Sequence, residues 1–147
     1  MRVFVILLTL LITGACHSRG NMPARWQALG IATEGLVKVE DDTDDNGLYL
    51  EYQGRTRESV FEDATRALIA AGYAQTQVAF DGDVLGFEKQ GEQLVVKVDE
   101  FGGSRYLAIF NERGKDELLH GVVFGKYTLG PPVTGEAAKE QLRKELE

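Results

Sequence analysis

The sequence predicts an α+β domain, one main amphipathic helix packed on an antiparallel β-meander sheet, with a C-terminal surface helix. Three observations predict it. Apolar residues recur at helical spacing through TRESVFEDATRALIAAGY, residues 56–73. After Gly72 the apolar period drops to two. The alternating runs are divided by Asp81-Gly82-Asp83, Gln90-Gly91 and Phe101-Gly102-Gly103, the residue types of tight turns. A strand pair, then a helix, then a meander implies a twisted sheet covered on one side by the helix.

Taken in order, LVKVE (36–40) and LYLEY (48–52) read as strands on either side of an acidic turn. In the helix, Val60, Phe61, Ala64, Ala67, Leu68 and Ala71 make one apolar stripe. Thr56 or Ser59 can cap its start, and Ser59 with Glu62 fits a capping box. Acids Glu58, Glu62 and Asp63 suit the positive end of the helix dipole, and Gly72 stands where helices end left-handed. Strands follow at 76–80, 84–88, 93–99 and 105–111, with Leu94, Val96 and Val98 alternating against Lys97 and Asp99 to give one buried face. Residues 118–124 are apolar but broken by glycine, and read as a last strand or a short helix. Pro131-Pro132 stops regular structure, and GEAAKEQLRKELE, capped by Thr134, reads as the surface helix.

The chain opens MRVFVILLTLLITGAC: one arginine, an apolar stretch from Val3 to Ile12, small residues, and then the only cysteine, Cys16. That is the grammar of a secretory signal, and the apolar run is too short to span a bilayer, which takes about 20 residues. The cysteine after small residues resembles the lipobox of bacterial lipoproteins, although Thr13 stands where that family usually has leucine. The resemblance implies cleavage before Cys16, acylation of its sulfur and a membrane-held mature protein. His17, where the family's inner-membrane retention signal has aspartate, implies the outer membrane of a two-membrane envelope, facing the periplasm. The organisation expected is a signal peptide (1–15), a lipid-anchored tether (16–35), an α+β domain (36–128) and a linker with terminal helix (129–147). Within the tether, Pro23 opens one helical turn over Ala24–Leu29. Trp26 there reads as an aromatic plug on the domain edge or as a ring at the membrane interface.

The chain is acidic, with a formal charge of −7, and losing the signal removes Arg2 and no acid. Such a surface repels nucleic acid and anionic lipid, so no nucleic-acid partner is expected. A single cysteine leaves no internal disulfide, and stability must come from a core.

Asp42-Thr43-Asp44-Asp45-Asn46-Gly47 fits the first half of a calcium loop, in which alternate oxygens converge on the ion. It resembles the EF-hand for those six residues only; Gln53 occupies the place of the bidentate glutamate. A weak calcium site would use Asp42, Asp44 and Asn46, and the alternative is a solvated hairpin turn whose Asp-Asn-Gly supplies left-handed residues. No other cofactor is expected. Ser59 and Ser104 lie outside any nucleophile elbow and only His120 could serve them. Glu88, Glu92, Asp99 and Glu100 are pairable carboxylates without an evident cleft, and zinc or phosphate-loop ligands are missing from the pattern.

What remains is surface. Most aromatics fit the core or the sheet faces, while Phe101, in a Phe-Gly-Gly-Ser loop, and Tyr106 fit an exposed partner-binding patch. The expectation is a non-enzymatic, lipid-anchored protein-binding or assembly-accessory module, similar in outline to accessory lipoproteins of outer-membrane assembly. The alternatives are an inhibitor or immunity lipoprotein neutralising a secreted toxin or hydrolase, and a weak calcium-binding domain.

Overall fold

A computed structural model of the chain describes residues 22–79, 82–116, 119 and 124. Its elements are α1 (Ala24–Gln27), β1 (Leu36–Val39), β2 (Gly47–Tyr52), α2 (Arg57–Ala70), β3 (Ala74–Ala79), β4 (Val84–Lys89), β5 (Glu92–Phe101) and β6 (Ser104–Phe110). The class is α+β, and among the described residues the strands form one six-stranded antiparallel sheet in the order β1-β2-β6-β5-β4-β3. The chain leaves β2, crosses the sheet as α2, and re-enters at the far edge as β3. The four-stranded meander then walks back until β6 pairs with β2. The strands predicted by alternation all form, with ends shifted by up to two residues.

Local chemistry fixes the joints. Thr56 caps α2, its hydroxyl accepting from Ser59 N at 3.2 Å. Ser59 therefore sits inside the first turn and returns its hydroxyl to Thr56 O at 2.9 Å, so the Ser59–Glu62 box does not form. Gly72, at φ +91°, ends the helix as predicted. The β4–β5 and β5–β6 turns each have two central residues of positive φ, Gln90-Gly91 and Gly102-Gly103, the geometry that matches the twist of a two-residue hairpin.

Side chains on α2 at Val60, Ala64 and Leu68 are buried against the inward residues of β2, β4, β5 and β6, among them Leu50, Phe87, Val96 and Ile109. Each of the larger side chains contributes about 1.5–3 kcal/mol on burial. The opposite face is not left open as a simple alternation implies. Val84, Val95, Ala108 and Phe110 form a second cluster there with Leu119 and the partly buried Phe124, whose ring meets Phe110 edge-on at 6.0 Å. Two-sided burial explains why Leu94-Val95-Val96 reads as a continuous apolar run.

The predicted tether is corrected from Met22 onward. Met22, Trp26 and Ile31 belong to the main core, and residues 22–35 cross the helix side of the sheet from the Asp44 end to the Tyr52 end. Trp26 is 1% exposed, so its ring fills the core and does not rest at a membrane interface. The error has a physical cause: a four-residue helix with three apolar anchors has no periodicity to read. Cys16, His120 and the C-terminal helix lie outside the described residues. Among those residues no helix is long and apolar enough to cross a membrane.

Candidate functional site

The sheet has two chemically different ends. At the first, the Asp42–Gly47 loop, α1, the β4–β5 turn and the end of β6 converge. Asp44 Oδ1 accepts from Asn46 N at 2.8 Å and Gly47 N at 3.0 Å, closing the loop on itself. Its carbonyl accepts from Trp26 Nε1 at 2.6 Å, and Asp45 O accepts from Arg25 Nη1 at 2.8 Å. Thr43 Oγ1 and the Tyr49 backbone exchange two bonds, at 3.0 and 3.2 Å. Asn46 Oδ1 accepts from Asn111 Nδ2 at 3.2 Å, and Asp42 pairs with Lys115 at 2.8 Å. The three residues proposed as metal ligands thus turn to three different partners. Among the described residues no group of three or more His, Cys, Asp or Glu side chains is placed to hold a metal.

Asn46 and Gly47 are not left-handed, contrary to the hairpin reading. Gly47 is required for space instead: a Cβ there would stand 2.6 Å from the Tyr49 ring.

Beside the loop, Glu92 takes Arg25 Nη2 on one oxygen at 2.5 Å and the Tyr73 hydroxyl on the other at 2.6 Å. Burial works against the Glu92 carboxylate, but the bonds from Tyr73 and Arg25 outweigh it and hold its pKa below the usual carboxylate range. Burial, reinforced by the carboxylate it serves, pushes Tyr73 up to about 12. Arg25 also stacks on the Trp26 ring, 4.1 Å from its centroid. Sequence reasoning placed no weight on Arg25 or Tyr73. Their partner lies 67 and 19 residues away, and no local spacing announces it.

A shallow cleft of about 210 Å³ opens at this end, lined by Asn46, Gly91, Glu92, Gln93, Asn111, Glu112, Arg113 and Phe124. Its best-placed polar groups already serve the fold: Glu92 holds Arg25 and Tyr73, and the two asparagines hold each other.

At the second end stands the β5–β6 tip. Phe101 is 78% exposed, the most exposed large apolar residue among those described. It pairs with Ser104 across the turn, and Asp99 pairs with Tyr106. Strand alternation therefore puts Phe101, Asp99 and the half-buried Tyr106 on the sheet face away from α2, so the two residues predicted for partner binding share a surface. Ser104 is 4% exposed and donates to Glu51 Oε1 at 2.6 Å. Ser59 donates its hydroxyl to Thr56 O in the first turn of α2, so both serine hydroxyls are already bonded within the fold. On the same strands Lys97 pairs with Asp99 at 3.0 Å and with Asp116. Arg105 pairs with Glu100 at 3.0 Å.

No protein-family model, curated protein or solved structure matches the chain.

Proposed function

We propose that this is a lipid-anchored envelope protein, non-enzymatic, whose domain binds another protein through the β5–β6 tip. The observation that carries the reading is Phe101, a large apolar side chain held out in water on a hairpin whose turn geometry is fixed by two glycines. A turn alone needs no phenylalanine, and exposed aromatics of this kind anchor interfaces.

The route of the chain supports it. Met22 enters the fold at the Asp44 end. Only six peptide links separate it from Cys16, a reach of at most about 20 Å. β5 runs ten residues from that end to the tip, about 30 Å. A lipid on Cys16 therefore leaves Phe101 pointing away from the bilayer, toward the periplasm if the anchor is in the outer membrane. In this reading α2 is an amphipathic helix that seals the core and takes no part in binding. Around the tip Asp99 and Glu100 are paired with Lys97 and Arg105, which leaves Glu51 as the unmatched charge, so a partner with a largely neutral rim around an apolar pocket fits best. The acidic balance of the whole chain, formally −7, is what favours the second reading, an inhibitor or immunity lipoprotein for a basic toxin or hydrolase.

The test is capture of the full-length protein from its native envelope after mild crosslinking, side by side with Phe101→Ala. The reading expects one stoichiometric partner, recovered at least about tenfold less with the variant, as for a hot-spot residue. Equal recovery with both would sink it. Cys16→Ala is expected to release the protein from membranes; continued attachment would remove the anchor from the account.

A further inference from the structure

The two edges of the sheet are built differently. β1 has four residues, includes Lys38, and is followed by Glu40, which pairs with that lysine at 2.5 Å. β3 has six residues, Ala-Gln-Thr-Gln-Val-Ala, and no charge. Each edge strand carries one register irregularity, so the bulge does not distinguish them. Charge does, because charged side chains are a common guard on a free strand edge.

The neutrality extends well beyond β3. From Ala67 to Phe80 fourteen consecutive residues carry no charge, the longest such run after Cys16 in a chain that is 27% charged. That run builds the second half of α2 and the whole of β3, giving one neutral shoulder on an acidic molecule. Two of the four large apolar residues exposed among those described lie on it, Ile69 at 55% and Val78 at 36%. Val78 registers with Leu85, a core residue, and so sits on the same side of the sheet as α2. Ile69 is on α2 itself, less than two turns before Gly72 leads into β3.

We propose that the β3 edge docks a second copy of this chain, the two β3 strands pairing antiparallel across a two-fold axis into one continuous sheet. A two-fold interface must be complementary to itself. β3 satisfies that condition: pairing centred between Thr76 and Gln77 sets Ala74 on Ala79, Gln75 on Val78 and Thr76 on Gln77, with no like charges opposed. Two copies of formal charge −7 repel over most of their surfaces, and this shoulder is where they meet without that cost. A strongly charged partner gains nothing from a neutral edge, so charge favours self-pairing over a foreign strand. Among the described residues no strand lies on the outer side of β3, so pairing gives that edge a neighbour, and Ile69 and Val78 leave water. One strand and its flanks cover less than the roughly 800 Å² per partner of a stable interface, so the dimer is weak in free solution. Two copies confined to one membrane surface meet at higher effective concentration.

The experiment is sedimentation of the full-length chain in detergent micelles, followed from micromolar to millimolar protein. A concentration-dependent dimer is expected. Val78→Lys raises its dissociation constant at least about tenfold, because an apolar side chain that leaves water is replaced by an ammonium that must be desolvated against Gln75 of the other copy. Thr76→Lys does the same by an independent position, and Val37→Lys on the other edge leaves the dimer intact. Unchanged melting of the variants shows that the monomer still folds. A wild-type chain that stays monomeric throughout overturns the proposal. So does a dimer indifferent to both β3 lysines, or one abolished by Phe101→Ala alone, which would move the contact to the tip.

Discussion

The two ends of the sheet show how polar side chains divide between holding a fold and leaving it available. At the Asp44 end several polar side chains are bonded to other parts of the chain: Asp44 to its own loop, Glu92 to Arg25, Asn46 to Asn111 and Asp42 to Lys115, while Arg25 also reaches the Asp45 carbonyl. At the Phe101 end distant bonds also hold the fold, Ser104 to Glu51 and Arg57 to Asp83. Beside the local pairs of Lys97 with Asp99 and Arg105 with Glu100, however, a phenylalanine is left in water. The end richest in suggestive residues spends most of them on the fold. The proposed reading puts binding at the other end, on the exposed ring.

Trp26→Ala should break that contrast most severely. Trp26 is the largest fully buried side chain, and its indole N–H is the clasp between α1 and the acidic loop. Removing it is expected to cost about 3–5 kcal/mol in urea denaturation, the range for large aromatics in cores. A loss under about 0.5 kcal/mol, as for a surface position, would return residues 22–35 to a tether.

Asp44→Ala comes next. Its carboxylate satisfies two backbone donors, and losing it is expected to cost about 1–2 kcal/mol, while Asp44→Asn keeps an acceptor and recovers most of that. Millimolar calcium is expected to leave the melting temperature of the wild type unchanged. A calcium-dependent rise abolished by Asp44→Ala would reopen the loop as a metal site.

How much of this was legible in the sequence follows the range of the interactions. The α2 stripe and the Gly72 stop are local, and the helix spans the predicted place. The β4–β5 and β5–β6 hairpins are equally local: Gln90-Gly91 and Gly102-Gly103 dictate their turns, and Phe101 falls beside one of them. The Asp42–Gly47 segment was legible as a turn but not in its mechanism, because Gly47 answers to the Tyr49 ring and not to its own φ. Trp26, Arg25 and Tyr73 were illegible as a group. Their meaning lies in Asp44 and Glu92, brought near only by the β2–β6 and β4–β5 pairings. The second core face was hidden for the same reason: Val95 and Phe110 need Leu119 and Phe124 to complete their burial.

A smaller effect lies in the pH dependence of the Glu92 cluster. Its folded pKa is lowered, so the ionised carboxylate adds stability above the unfolded value near 4.5, lost as pH falls through the folded value. Tyr73 runs the other way. With a folded pKa of about 12 against 10.0 unfolded, its contribution is present below pH 10 and is lost as pH rises toward 12. Melting temperature against pH should therefore flatten on the acid limb in Glu92→Gln and on the alkaline limb in Tyr73→Phe. Both groups are partly exposed, which keeps the amplitudes modest. Identical limbs in wild type and both variants would mean that the Arg25–Glu92–Tyr73 cluster adds nothing to stability.

The smallest expected change in stability belongs to Phe101→Ala, and its smallness is what gives the substitution meaning. A side chain already 78% exposed loses little burial when truncated, so stability should stay within about 0.5 kcal/mol of wild type. Gly103→Ala is its counterpart in the same turn. At φ +84° an alanine is strained by about 1 kcal/mol, although nothing stands within 4 Å of its Cβ. A purely structural tip predicts that glycine matters and phenylalanine does not, by any readout. A binding tip predicts that Phe101→Ala leaves the melt untouched and removes the partner, while Gly103→Ala lowers both together by bending the hairpin that presents the ring. The two substitutions, two residues apart, therefore separate presentation from contact. Only the second pattern is consistent with a hairpin whose exposed aromatic serves something outside the chain.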